Sequence, residues 1–112
     1  MEEAAAGVRT GEIAVAVRDA QLEDLAVHAG EVLGMLDGHP VLAGADRDAV
    51  ALDLMEHMGA HDADVVTLYY GRDVTEREAQ ALAARARERY GGPDVEVVSG
   101  GQPHYPFIMS IE

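Results

Sequence analysis

The chain has 112 residues and a mass of 11.9 kDa, which is enough for one compact domain and too little for two. It has no Cys, and all eight basic residues are Arg, which excludes disulfides, thiolate nucleophiles, Cys-ligated zinc and a lysine Schiff base. Against these eight stand 21 acidic residues, for a formal net charge of −13. Because this charge repels phosphate backbones and anionic lipids, we expect no nucleic-acid binding.

The charge is unevenly spread along the chain. Residues 1–64 carry fourteen acids and three Arg, whereas residues 65–112 carry seven acids and five Arg. The acidic half could face a basic protein partner, or the charge could simply keep the domain in solution. No apolar run approaches the ~20 residues that span a bilayer, and the N-terminus lacks the basic region of a secretory signal. We expect no membrane insertion and a cytoplasmic location.

The N-terminal part of the chain is predicted to form short strands after a tether. Residues 1–7 are small and acidic, as in a tether or the tail of a preceding segment. Alternation of larger residues with Ala predicts a strand over 13–17. Brief apolar runs predict a small meander of strands over 25–27, 31–36 and 41–43. Between the last two runs, Asp37-Gly38 favours a type I′ hairpin turn. Because Pro40 has no backbone N–H, we expect its strand to lie at an edge of the sheet or to begin pairing only after this residue.

The rest of the chain is predicted to alternate helices and strands. Asp46 can cap a helix that runs to about Met58 before Gly59 stops it. The β-branched and aromatic residues at 64–70 predict a strand. Thr75-Glu76-Arg77-Glu78 fits a helix capping box, and Gly91-Gly92-Pro93 ends that helix. Further strands are predicted at 95–98 and 107–111, which indicates an α/β domain of α+β type, with two helices packed on a mixed sheet.

Two groups of polar residues could suggest a metal site or acid–base chemistry. His57 and His61 are four residues apart, with Asp62 and Asp64 nearby. Gly59 breaks the helix between the two His residues, and the helix dipole alone favours His at a helix C-terminus. The second group comprises the acidic residues of the first predicted helix, Asp46, Asp48, Asp53 and Glu56. Acidic residues are favoured at a helix N-terminus and on its exposed face, so these positions need no catalytic explanation. We therefore predict no metal site and no catalytic residue in this chain.

The segment Tyr69-Tyr70-Gly71-Arg72-Asp73 leads from a strand to a helix N-terminus, where open α/β sheets bind ligands. Alternation along the strand places one Tyr inward and the other outward. The turn could be a binding site, with Tyr70 and Arg72 as contacts. Alternatively, both tyrosines could pack while Gly71 turns the chain, because no phosphate-binding glycine pattern is present.

The segment from residue 100 to residue 106 is the most unusual part of the sequence. Its two glycines permit backbone conformations that other residues avoid, whereas its two prolines restrict the chain. The loop offers candidate partner-binding residues: Gly100, Gly101, Gln102, Pro103, His104 and Tyr105. It could equally be a rigid connection between two strands. Tyr105 could also belong to the core, since Phe107 and Met109 continue its alternating face.

Several short motifs follow one another along the chain. They are Thr10-Gly11-Glu12, Ala16-Val17-Arg18-Asp19, Leu68-Tyr69-Tyr70-Gly71, Thr75-x-x-Glu78, Gly100-Gly101-Gln102-Pro103-x-Tyr105-Pro106 and Ser110-Ile111-Glu112. Their order and spacing resemble the C-terminal region of the bacterial fatty acid kinase family, the YloV-like proteins related to dihydroxyacetone kinase. The resemblance covers residues 8–112, and the G-G-Q-P-x-Y-P motif is its most specific part. Ala20 departs from the family, in which a hydroxyl residue is common at that position.

The resemblance implies a fold and a function. Members of the family carry an ATP-binding domain, a middle domain and this C-terminal α/β domain, which is similar to a DegV-type domain. They phosphorylate a fatty acid presented by a separate DegV-like carrier protein, with ATP and Mg²⁺ bound outside the C-terminal domain. The resemblance thus implies one domain over 8–112 with no cofactor of its own, an artificial start at Met1 and a natural end at Glu112.

We therefore expect a non-catalytic domain of a larger kinase subunit, which docks the fatty-acid-carrying partner and contacts the remaining domains of its own chain. One alternative is a stand-alone ligand-binding or enzymatic domain with the Tyr69–Thr75 turn as its pocket. Another is a purely structural or oligomerising module. An ATP-binding region upstream in the reading frame would favour the first hypothesis, and a true start at Met1 would favour the second.

Overall fold

The computed structural model describes residues 9–22, 24–103 and 105–112. In chain order, the strands among these residues are β1 (Arg9–Val15), β2 (Ala20–Leu22), β3 (Leu25–Val27), β4 (Val32–Leu36), β5 (His39–Gly44), β6 (Val65–Tyr70), β7 (Asp94–Ser99) and β8 (Phe107–Ile111). The helices are α1 (Arg47–His57) and α2 (Glu76–Arg89), with a short 3₁₀ helix at Ala60–Asp62. None of these helices is long and apolar enough to cross a membrane.

Six of the strands form one mixed sheet in the order β5-β4-β1-β8-β6-β7, whereas β2 and β3 pair separately. Neighbours in the larger sheet are antiparallel, except that β6 and β7 run parallel. The sequence-based prediction of a mixed sheet with two packed helices is confirmed. Because β8 lies between β1 and β6, the last strand of the chain joins the two halves of the sheet.

The main core lies between the sheet and both helices. Ile13, Leu68 and Met109 of the sheet form one buried cluster with Leu54 of α1 and Leu82 of α2. Burying side chains of this size contributes roughly 1.5–3 kcal/mol each. Side chains alternate along a strand, so the residues between these sheet positions point to the opposite face.

The first strand differs from its prediction at both ends. It begins at Arg9 rather than at residue 13, and it ends at Val15 rather than at residue 17. At Gly11 the backbone itself faces the core, because the Sδ of Met58 would lie 2.6 Å from a Cβ at that position. Because glycine has no side chain, the alternation of apolar residues in the sequence does not show that position 11 faces the core. Val17 is 90% exposed, so its predicted place in the strand is wrong.

Only the second half of the meander predicted after β1 forms: β4 pairs with β5, whereas β3 pairs with an additional strand, β2, and not with β4. Asp37 and Gly38 have φ values of 51° and 89°, which confirms the turn with two positive-φ residues between β4 and β5. Pro40 lies on β5 at an edge of the sheet, as predicted. The additional strand β2 pairs with β3, which lies beside β5. Val27 of β3 is buried outside the main core cluster, so this hairpin covers a separate small apolar patch.

Both helices begin at the caps that the sequence predicts. The Asp46 side chain accepts hydrogen bonds from the backbone N–H groups of Asp48 and Ala49 at 3.0 and 3.4 Å. At α2, the Thr75 hydroxyl accepts from the Glu78 N–H, and the Glu78 carboxylate accepts from the Thr75 N–H. Gly59 has φ 89° just after α1, which continues the chain out of the helix.

The C-terminal end of α2 is tied to the middle and the C-terminal half of α1. The buried Tyr90 hydroxyl donates to the backbone carbonyl of Leu52 in α1, and burial raises the pKa of that hydroxyl. The Arg89 guanidinium lies 3.0 Å from an Asp53 carboxylate oxygen and also pairs with Glu56. Since these ion pairs are partly exposed, each contributes about 0–1 kcal/mol to stability. The buried, hydrogen-bonded Tyr90 therefore stabilises the contact between the helices more than the ion pairs do.

Candidate functional site

The turn after β6 and the loop before β8, which the sequence indicated separately, lie against each other. The Gly71 N–H donates to the Pro106 carbonyl at 2.8 Å, and the Arg72 N–H donates to the Gln102 carbonyl at 3.0 Å. The two segments meet because β6 and β8 are antiparallel neighbours, so the end of one adjoins the start of the other. We call residues 69–73, 100–103 and 105–106 the turn–loop surface.

The side chain of Gln102 holds this loop in shape. Its Nε2 donates to the Tyr69 carbonyl at 3.2 Å and to the Tyr105 carbonyl at 3.0 Å. Each such bond contributes a net of about 0.5–1.5 kcal/mol. The amide group thus faces the protein itself, and Gln102 positions its neighbours. Sequence reasoning placed Gln102 in the loop but missed this role, because one of its partners lies 33 residues away.

Glycines allow the close contact between the turn and the loop. A Cβ on Gly71 would overlap the Tyr105 carbonyl oxygen and would lie 2.9 Å from the Gln102 carbonyl oxygen. A Cβ on Gly100 would overlap the Gln102 side chain. Gly101 has φ 67°, which other residues rarely adopt. The shape of the surface therefore depends on small residues at these positions.

The three tyrosines at this end of the sheet have different surroundings. Tyr70 is half-buried and packs against the main core, whereas Tyr69 lies on the opposite face, opposite Ile108 in the ladder. The predicted alternation of inward and outward tyrosines is confirmed. Tyr105 is half-buried and lies outside the core cluster that contains Phe107. Tyr105 is thus placed at the rim of the surface rather than in the core.

Charged and exposed groups complete the turn–loop surface. Arg72 and Pro103 are exposed. The Arg72 guanidinium makes no hydrogen bond or ion pair with any residue in the described part of the chain, whereas Arg47, Arg85 and Arg89 pair with carboxylates along α1 and α2. Arg72 is therefore a cation available to a partner. His104, another candidate from the sequence, lies outside the described residues.

The whole chain matches one known protein family. Residues 1–112 match the family of C-terminal domains from proteins that are like the A subunit of fatty acid kinase. The chain belongs to this family. The resemblance that the sequence motifs indicated is thereby confirmed.

Curated relatives of this fatty acid kinase C-terminal domain are much longer proteins. Protein YloV of Bacillus subtilis strain 168 is 31% identical over 105 residues, which cover 94% of this chain and 19% of that protein. An uncharacterized protein of Staphylococcus aureus strain USA300 is 26% identical over 112 residues, which cover 100% of this chain and 20% of that protein. The chain therefore spans about a fifth of the length of these relatives.

Two surface cavities of this C-terminal domain lie away from the turn–loop surface. One, of about 580 Å³, is lined by residues of β5 and α1, including Leu42, Asp53 and His57. The other, of about 260 Å³, lies beside Met58 and Ile111. Neither is lined by the turn at 69–75, where a stand-alone binding domain was expected to have its pocket.

The histidines considered as metal ligands have other contacts. His57 Nδ1 lies 3.0 Å from the Asp53 carbonyl oxygen, and the His61 ring meets the Tyr90 ring edge to face at 4.7 Å between centroids. Within residues 9–22, 24–103 and 105–112, no three His, Asp or Glu side chains converge as a metal-binding group.

The N-terminus of α2, next to the turn, is closed by its own side chains. The Thr75 N–H and the Arg47 guanidinium stabilise the charged Glu78 carboxylate, which lowers the pKa of Glu78. The carboxylate bonded to the Thr75 N–H stands where an anionic ligand of the helix would bind. The N-terminus of α2 therefore already has an anionic partner from its own first turn.

Proposed function

We propose that the chain is a non-catalytic docking domain of a fatty acid kinase, and that its turn–loop surface binds the DegV-like carrier that presents the fatty acid. In this proposal, the rest of the longer kinase chain binds ATP and Mg²⁺ and forms the acyl phosphate. The proposal includes contacts between this domain and the other domains of its chain, and a cytoplasmic location.

The shape of the turn–loop surface carries the proposal. Gln102 and the close contact at Gly71 fix the loop before any partner arrives. A surface that is already ordered loses little conformational entropy on binding. It presents Tyr105 and Arg72, and Tyr and Arg are enriched among residues that dominate binding energy at interfaces. The same surface includes the other candidate residues, Gly100, Gly101, Pro103 and Tyr70.

The chemistry of the chain supports a role without catalysis. Phosphoryl transfer needs cations and usually a lysine at the phosphates, and this chain has no Lys. The described carboxylates are dispersed rather than gathered as a metal group. We therefore assign the transfer step to the other domains of the kinase. The positions of the two cavities give no support to a stand-alone enzyme with its pocket at the turn.

The proposal is tested by calorimetric binding of the chain to the fatty-acid-loaded carrier of the same cell. We expect Tyr105→Ala to weaken binding about thirtyfold, which corresponds to about 2 kcal/mol. Arg72→Ala should also weaken it. Arg77→Ala is the matched control, since Arg77 is also exposed but lies on α2 outside the surface.

Stability must be measured for the same variants by urea unfolding. Tyr105→Ala and Arg72→Ala should lose affinity while they unfold near the wild-type midpoint, whereas Gln102→Ala should lose both affinity and stability. If Tyr105→Ala and Arg72→Ala keep full affinity, or if affinity falls only in step with stability, the loop is a structural connection and the carrier does not dock there.

A further inference from the structure

The two edges of the six-stranded sheet differ in how they are protected. At the β5 edge, Pro40 removes a backbone donor, the β4–β5 register is irregular between Gly34 and Met35, and β3 lies beside the strand. These are devices that keep an edge from pairing with another chain. The β7 edge has neither a proline within the strand nor a register shift over residues 94–99. No strand of the described residues lies on its outer side.

The hydrogen bonds at both ends of β7 show which backbone groups face outward. The Asp94 N–H donates to the Asp64 carbonyl, and the Gly100 N–H donates to the Tyr70 carbonyl, both at 2.9 Å. Even-numbered residues thus point their backbone groups toward β6. Because these directions alternate along a strand, Val95, Val97 and Ser99 direct their N–H and C=O groups away from the sheet.

One of these outward groups already has a partner from outside the sheet. The Arg87 Nη2 of α2 donates to the Val95 carbonyl at 2.7 Å. No side chain or other segment among the described residues pairs with the outward groups of Val97 and Ser99. The edge is therefore capped at one end by Arg87 and open over the rest of its length.

The side chains beside this edge indicate what could pair with it. Glu96 is exposed, makes no ion pair with the described residues and shares a face with Val98, which is 40% exposed. A second copy of this chain carries the same net charge of −13, and the repulsion between two such acidic chains disfavours pairing of β7 with itself. A partner with basic side chains would face Glu96 favourably.

We propose that β7 accepts an extended segment of a basic protein partner as a seventh strand. The segment pairs with the outward backbone groups of Val97 and Ser99, places an Arg or Lys opposite Glu96 and an apolar residue opposite Val98. When the segment extends to Val95, its N–H replaces the Arg87 guanidinium on the Val95 carbonyl. This site is separate from the turn–loop surface and does not depend on the docking function proposed above.

The test is an NMR titration of the ¹⁵N-labelled chain with a short blocked peptide of threonines, in which one arginine and one valine stand two positions apart. We expect shift changes and slowed amide exchange at Val97 and Ser99. Two further peptides carry N-methyl groups on every second amide. In the first peptide the methylated amides lie along one edge of the extended strand, and in the second they lie along the other edge. One should lose binding and the other should keep it, because only one set of amides faces β7.

Variants of the chain test the charge. Glu96→Arg should weaken binding of the unmethylated peptide about fivefold, whereas Glu88→Arg, with the same charge change on exposed α2 surface, should not. Arg87→Ala should strengthen binding, since it frees the Val95 carbonyl. Absence of binding, equal binding of the two methylated peptides, or shifts confined to other parts of the chain would each overturn the proposal.

Discussion

The carbonyl oxygen of Tyr105 occupies the space that a Cβ on Gly71 would need. The Gln102 carbonyl oxygen and side-chain Nε2 crowd the same point, at 2.9 and 3.4 Å. Two of these three neighbours are backbone atoms, so they cannot turn aside as a flexible side chain could. The β6–α2 turn and the loop before β8 are therefore in direct backbone contact, and residue 71 joins them.

We expect Gly71→Ala to lower the free energy of unfolding by about 1–3 kcal/mol, because the added methyl group must displace backbone atoms. Urea unfolding measures the difference. Gly91→Ala is the matched control, since a Cβ on Gly91 would meet no atom within 4 Å. Equal losses of stability in the two variants would show that the close contact at Gly71 does not constrain the loop.

The cap of α2 gives a second prediction for stability. Thr75→Ala should lower the free energy of unfolding by roughly 1 kcal/mol, because the Glu78 N–H loses its acceptor. Thr75→Ser keeps the hydroxyl and should retain most of the stability. If Thr75→Ala unfolds at the wild-type urea concentration, the reciprocal bonds between Thr75 and Glu78 do not stabilise the helix.

The carboxylate of the same cap predicts a dependence on pH. The Thr75 N–H and Arg47 hold the pKa of Glu78 below its ordinary value of 4.5. A carboxyl whose pKa is lower in the folded state stabilises the fold above its ordinary pKa, and this contribution is lost as the pH falls through the folded-state value. Glu78→Gln carries no titrating group at this position. The stability difference between wild type and Glu78→Gln should therefore shrink as the pH is lowered below 4.5, and a constant difference in urea titrations would contradict this origin.

Features built from neighbouring residues could be predicted from the sequence. Asp46, the Thr75 capping box and the Asp37-Gly38 turn each depend on hydrogen bonds or dihedral angles within a few residues. Their side-chain chemistry selects one local geometry. The order of strands and helices followed from these signals together with the apolar runs.

Features that join distant segments could not be predicted in the same way. Gly11 faces the core because Met58 fills the space beside it, and the polar start of β1 gives no sign of this. The place of β8 between β1 and β6 depends on ladder pairing across most of the chain. The candidate site shows the same limit, since the sequence indicated the turn and the loop but could not show that Gln102 joins them.

The most direct test of the docking function is competition during acyl-phosphate formation. A full-length kinase that carries this domain is assayed with ATP and the fatty-acid-loaded carrier while the isolated chain is added in excess. We predict that the chain slows acyl-phosphate formation, that a higher carrier concentration restores the rate, and that Tyr105→Ala inhibits less than wild type. An unchanged rate in the presence of excess chain, or inhibition that does not respond to the carrier concentration, would contradict the claim that this domain docks the carrier.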